Sequence, residues 1–314
     1  MRVAIAQFAP AFLDRARVTA QVVDWIGRAA EASASVVCFG EALIPAYPLW
    51  LCRTDGASFD DPVQKRLFAR YSREAVCVED GDLDAVRAAA AEHGVAVVLG
   101  FVERPRGRGH SLFCSRVIIA GRDDETAGCC AGDILSVHRK LMPTYEERLV
   151  WGCGDGAGLV THRVGEFRVG ALNCWENWMP LARTALYAAG EDLRVMLWPG
   201  CERLTGDITR FAAREGRSYV VSASAILRPR DMPVDVAELA PLRESDEAAF
   251  YDGGSAIANP DGTWLIEPVV GREELIVAEL DLDRVREERQ NFDPTGHYAR
   301  PEILRLSVDR TRGL

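Results

Sequence analysis

Short apolar runs rich in β-branched residues alternate with longer amphipathic stretches along most of the chain, and no other feature restricts the fold so strongly. RVAIAQFA (2–9), SVVCFGEAL (35–43) and VAVVLGFVE (95–103) read as strands. VTAQVVDWIGRAAEAS (18–33) and DLDAVRAAAAEHG (82–94) read as helices, the second starting near Asp82 or Asp84 and stopping at Gly94. SLFCSRVIIA and DILSVHRKL are expected to pair around the polar turn GRDDETAG, and PTYEERLVW to start a loop or short helix. The alternation then resumes: FRVGALNC strand, PLARTALYAAG helix, VMLWPG strand, DITRFAAREGRS helix, YVVSASAIL strand. GGSAIANPDGTWLIEP predicts a hairpin turning at Pro260-Asp261-Gly262, followed by the strand ELIVAELDL and the helix DRVREERQNF. Sheets flanked by helices follow from this order, so the class is α/β with some antiparallel pairing. No repeat or linker divides the chain, which predicts one domain over 1–314, with a mobile polar loop at 228–247 and a C-terminal segment at 290–314.

Composition narrows the function. The net charge of −10, without a dominant Lys/Arg cluster, argues against nucleic acid and favours a small uncharged ligand. MRVAIAQFAP runs into the charged DRAR, so it reads as a first strand and neither a signal peptide nor a membrane span; a cytoplasmic protein without membrane partners is expected. Nine cysteines, an odd number spread from Cys38 to Cys201, predict reduced thiols. The absence of any CxxC pair and the dispersal of the five histidines predict no metal site.

Three predicted strands end in a polar residue of chemical interest: Glu41 after VVCFG, Lys140 after ILSVHR and Cys174 after VGALN. In α/β sheets ligands bind at the carboxyl ends of strands. A thiol needs a base or a positive neighbour to act as a nucleophile near neutral pH, and glutamate and lysine supply these. Taken singly, each residue has a plainer reading: an N-terminal helix charge or ion pair for Glu41, a solvated side chain beside Arg139 for Lys140, and a packed thiol for Cys174.

The blocks AQFAP, FGEALIPAYP, HRKLMPTYEERLVWGCGDG, GALNCWENWMPLARTALYAAGE and FDPTGHYARPEILRL together resemble the nitrilases, the nitrile-cleaving branch of the carbon–nitrogen hydrolase superfamily, over nearly the whole chain. HRKLMPT, CWEN and GHYARP are closer to that branch than to its amidase or carbamoyl-hydrolysing relatives, although an amidase or carbamoyl-amide hydrolase built on the same residues is the alternative. The resemblance implies a four-layer α-β-β-α sandwich, with Cys174 as nucleophile, Glu41 as general base and Lys140 as the stabilising cation. It also implies a second glutamate, Glu147, chosen over Glu146 because the family pattern reads Glu-Arg-Leu-x-Trp. An organic nitrile is the implied substrate, hydrolysed to acid and ammonia through thioimidate and thioester intermediates without a cofactor. By resemblance Tyr47, Trp151, Trp175 and Trp198 line or border the pocket and Glu176 orients a group in it. Gly40 stands where many members carry proline and is expected to loosen its loop; WPGCERLTGD differs from the usual segment and leaves pocket size open. The short tail after GHYARPEILRL implies a homodimer or small homo-oligomer rather than a filament.

Overall fold

The computed structural model describes residues 1–313. Its strands are β1 (Arg2–Gln7), β2 (Val36–Cys38), β3 (Ala96–Glu103), β4 (Phe113–Ile119), β5 (Ile134–Arg139), β6 (His162–Val164), β7 (Phe167–Asn173), β8 (Leu193–Trp198), β9 (Tyr219–Ser224), β10 (Ile226–Leu227), β11 (Tyr251–Ala258), β12 (Trp264–Val270) and β13 (Glu274–Glu279). The helices are α1 (Arg15–Glu31), α2 (Pro62–Glu74), α3 (Asp84–His93), α4 (Pro180–Ala188), α5 (Glu202–Gly216), α6 (Ala240–Arg243) and α7 (Leu282–Arg289). The first sheet has six strands in the order β13-β1-β2-β3-β4-β5, and the second has seven, β10-β11-β9-β8-β7-β6 with β12 on β11. In the first, β1, β2 and β3 run parallel while β13, β4 and β5 pair antiparallel to their neighbours; β7, β8 and β9 form the parallel centre of the second.

The period-2 alternation of strand side chains builds the layers. From the first sheet Val3, Ile5, Val36 and Val98 meet Val169, Ala171, Val195 and Val221 of the second in one core. The intervening positions Ala4, Val37, Val97 and Leu99 face outward onto Val18, Val22 and Ile26 of α1 and Val86 of α3. On the far side, Met196 and Val220 pack under Ile208 and Ala212 of α5, and Leu172 under Ala182 and Leu186 of α4. The four-layer α-β-β-α sandwich therefore follows from strands apolar on both faces, each full burial of an aliphatic side chain contributing about 1.5–3 kcal/mol.

Three local expectations change. Helix α2 replaces an unassigned stretch: Asp61 caps it by accepting from Gln64 N and Pro62 begins it, but only Leu67, Tyr71 and Ser72 are buried, too thin an apolar stripe to announce a helix. Helix α3 begins at Asp84 and stops at Gly94 as expected, while the Asp82 carboxylate takes Cys77 N and the Arg15 guanidinium. Segment 228–247, expected as a polar surface loop, folds into short helical turns and α6 and sends Met232, Val236, Leu239 and Leu242 into the cluster around Trp50 and Trp151. Those apolar residues, spaced three or four apart, outweigh the charges between them. Gly40 does not loosen its loop: a Cβ there would stand 2.8 Å from Trp198 O and 3.1 Å from Ala225 N, so the backbone is wedged against the second sheet. Segment 290–313 lacks strand or helix and folds back on Asp155, which accepts from Gly313 N at 3.0 Å. No helix among the described residues is long and apolar enough to cross a membrane.

Candidate active site

The carboxyl ends of β2, β5 and β7 converge where the two sheets meet, and each releases one side chain into the gap. Two residues beyond Phe39, Glu41 is anchored by its own N–H, which donates to Trp198 O at 3.0 Å and so ties the end of β2 to the end of β8. Lys140 follows β5 directly, its N–H held by Cys114 O at 2.7 Å. Cys174 follows β7 directly and adopts φ 46°, the left-handed region that β-carbon-bearing residues rarely occupy. This sharp turn from strand into the helical turn Cys174–Trp178 is pinned by Asn177 Nδ2, which donates to Cys174 O at 2.9 Å.

Lys140 Nζ lies 2.9 Å from Glu41 Oε1 and 2.7 Å from Glu147 Oε2, with all three side chains buried. Glu147 is saturated: Oε2 also accepts Thr144 N at 2.6 Å and Oε1 accepts Tyr47 OH at 2.9 Å. Glu41 is not. Its Oε1 takes a long contact from Cys114 Sγ at 3.5 Å, whereas Oε2 has no partner. Cys174 Sγ and oxygens of Glu41 and Glu147 all lie within 4.8 Å of one another. That spacing would also suit a metal ion, but the Lys140 ammonium already joins the two carboxylates and occupies the electrostatic role a cation would take.

Burial, reinforced by the neighbouring Glu147 charge and opposed by Lys140, pushes the Glu41 carboxyl up to about 7. The Cys174 thiol is raised well above its ordinary range by burial first and by Glu41 second, so Cys174 rests as a neutral thiol. Lys140 behaves oppositely: burial alone would lower it, but Glu41, Cys174 and Glu147 hold it well above its ordinary value and keep it charged. A neutral thiol beside a half-ionised carboxylate and a fixed ammonium can undergo base-assisted attack on an electrophilic carbon. The backbone N–H of Trp175, the residue after Cys174, works the other way from burial and favours the thiolate.

The residues expected at the pocket divide. Tyr47 lines a small cavity beside Glu41, together with Leu43, Pro199, Leu227 and Tyr251. Trp151 stands one layer behind, edge-on to Tyr47 with ring centroids 5.7 Å apart and facing Lys140 Nζ at 5.7 Å. Trp198 is core, buried beside Cys174, its Nε1 donating to Ser222 Oγ at 3.2 Å. Trp175 turns its ring outward, 45% exposed and tilted against Trp178 with ring centroids 6.2 Å apart, so it contributes its backbone rather than a wall. Glu176 does not line the cavity: it is buried, and its oxygens accept from Leu141 N, Asn173 N and His138. It lies in the helical turn that follows β7, and its bonds to Leu141 N and His138 hold it against the end of β5. Sequence reasoning missed Tyr251 and Cys114. Tyr251 opens β11 next to Leu227 of β10, and its ring meets Tyr47 at 5.6 Å; its place just before Gly253-Gly254 was the available signal. Cys114 lies inside a uniformly buried strand and carried no signal at all.

Comparison with known proteins agrees with this architecture. The family model described as carbon-nitrogen hydrolase matches residues 2–290. The chain is 33% identical to an aliphatic nitrilase of Sinorhizobium fredii over 98% of its own length and 95% of that protein. It is 32% identical to a bifunctional nitrilase/nitrile hydratase of Lupinus angustifolius, over 98% of this chain and 86% of the relative. Among solved structures, a carbon-nitrogen hydrolase from Helicobacter pylori superposes with a TM-score of 0.70 at 17% identity, covering 96% of each chain, a likeness of fold.

Proposed function

Since the chain belongs to the carbon–nitrogen hydrolase family and is therefore a hydrolase of carbon–nitrogen bonds, we propose that it is a nitrilase that converts an organic nitrile to its carboxylic acid and ammonia. The observation that carries the chemistry is the unpartnered Glu41 Oε2 beside the neutral Cys174 thiol, with the Lys140 ammonium on the other Glu41 oxygen. The choice of a nitrile over an amide is supported by the near full-length similarity to the aliphatic nitrilase and by the HRKLMPT and CWEN blocks.

Glu41 takes the Cys174 proton as sulfur attacks the nitrile carbon, and that proton passes to nitrogen to give a neutral thioimidate. Glu41 then takes a proton from water as it adds to the thioimidate carbon. The tetrahedral species stands near Lys140 and Trp175 N–H, donors of a kind worth about 2.7–4 kcal/mol each in such sites. Once the nitrogen is protonated, the carbon–nitrogen bond breaks, ammonia leaves and a thioester remains. A second water, deprotonated by Glu41, releases the acid and returns the proton to sulfur. Glu147 fixes Lys140 and, through Tyr47, one wall of the cavity. Two copies pair across the face of α4 and α5, where Leu181 and Phe211 are exposed; sedimentation of the purified protein checks this.

Ammonia release from matched nitrile and amide pairs, with Cys174→Ala as blank and the product identified, tests the proposal. Acid from nitriles supports it, and release from amides alone overturns it.

A further inference from the structure

We propose that Glu176 is a positioning residue whose buried carboxylate sets the separation of Lys140 and Cys174 across the two sheets. This rests on the reading of Cys174 as nucleophile and Lys140 as its cationic partner. The two residues leave different sheets, Lys140 from β5 and Cys174 from β7, and no ladder of strand hydrogen bonds joins those sheets. Glu176 bridges them at the position that matters. Its Oε1 accepts Leu141 N at 2.6 Å, the amide immediately after Lys140. Its Oε2 accepts Asn173 N at 2.9 Å, the amide immediately before Cys174. His138, two residues before Lys140 on β5, places Nε2 at 3.0 and 3.2 Å from the two oxygens. A second tie lies alongside: Arg116 of β4 donates through Nε to Ala171 O of β7 at 3.2 Å.

Only an ionised carboxylate presents acceptors on both oxygens at once. An amide at position 176 turns its NH2 toward one of the two backbone N–H groups and breaks one half of the bridge. Burial works against the charged form, but His138 and the hydrogen bonds from Leu141 and Asn173 hold the Glu176 carboxyl below its usual range, consistent with an anion in place at neutral pH. Loss of the bridge lets the sheets shift at their mouth, and a displacement of about 1 Å at reacting groups is enough to cost roughly 10²-fold in rate.

The test compares wild type, Glu176→Gln and His138→Gln. Three quantities are read: melting temperature, kcat and KM on a nitrile or amide that wild type turns over, and the rate at which iodoacetamide alkylates the Cys174 peptide, followed by mass spectrometry. Glu176→Gln is expected to lower kcat by about 10²-fold with KM within about threefold, and to change Cys174 alkylation by roughly threefold or more. His138→Gln, whose amide still donates to Glu176, gives a smaller loss of the same kind. Wild-type kcat and alkylation in Glu176→Gln overturn the inference, as does a loss of activity matched entirely by a loss of folded protein. If Glu176→Gln does not fold, His138→Gln decides: lower kcat at constant KM supports the inference and an unchanged kcat overturns it. Alkylation of Cys174 needs no nitrile, so this result is independent of whether the nitrile assignment survives.

Discussion

The thiol of Cys174 and the carboxylate of Glu41 lie within 4.8 Å of each other although they come from different sheets, and Glu41 keeps one oxygen without a partner. The Lys140 ammonium occupies the other oxygen and leaves the free one to accept a proton. A thiol raised by burial and a carboxyl raised to about 7 form a pair in which proton transfer accompanies attack, in place of a resting ion pair.

The first prediction concerns pH. A general base works when ionised, and a raised pKa narrows the range in which it is ionised. With Glu41 pushed up to about 7, kcat/KM falls about tenfold per unit as pH drops below about 7. A pH–rate profile from 5 to 9 measures this, and a flat profile down to pH 5 contradicts it. Glu41→Gln is expected to lower kcat by about 10²–10⁴-fold and to remove the acidic limb.

Lys140→Met leaves the buried carboxylates of Glu41 and Glu147 without their shared cation. Removing one partner of a buried ion pair costs about 3–5 kcal/mol. Without the ammonium the Glu41 carboxyl, already raised by burial, loses the charge that opposes that rise, so the deficit is largest at high pH and shrinks as Glu41 protonates. Thermal melting from pH 8 to pH 5 is expected to show the gap to wild type narrowing.

Tyr251→Ala removes a ring that lines the cavity and rests edge-on against Tyr47. The preference for bulky over short nitriles, read as a ratio of kcat/KM values, is expected to rise by roughly tenfold, the scale on which apolar pockets discriminate. The ratio for an arylacetonitrile against a short aliphatic nitrile measures it, and an unchanged ratio removes Tyr251 from the specificity wall.

Gly40→Ala places a methyl 2.8 Å from Trp198 O, a backbone atom that moves only with β8. Overpacking of this kind costs about 1–3 kcal/mol. Because the adjacent Glu41 N–H bonds to the same carbonyl, activity is expected to fall together with the melting temperature. A fully active, fully stable Gly40→Ala protein refutes the wedge.

The layers were legible in the sequence because burial on both faces demands continuous apolar strands and the helices between them keep one polar face. FRVGALNC and VVCFG could be placed as strands ending in Cys174 and just before Glu41 for that reason. Helix α2 was not legible, since only Leu67 and Tyr71 of its apolar residues are fully buried, and 228–247 looked like a loop because Pro and charge mask the spacing of Met232, Val236, Leu239 and Leu242. Residue types adjacent to Cys174 also misled: Trp175 and Glu176 follow it in sequence, yet the left-handed turn at Cys174 sends one ring to solvent and the other side chain back between the sheets.

Local pattern thus determined which segments become strands and helices and which polar residues stand at strand ends, because those depend on periodicity within a few residues. Tertiary structure alone decided that Glu41 would have a free oxygen, that Glu147 would have none, that Tyr251 would line the cavity and that Glu176 would join two sheets. Those outcomes depend on desolvation and on distances between residues far apart in the chain, quantities that exist only once the sheets have packed.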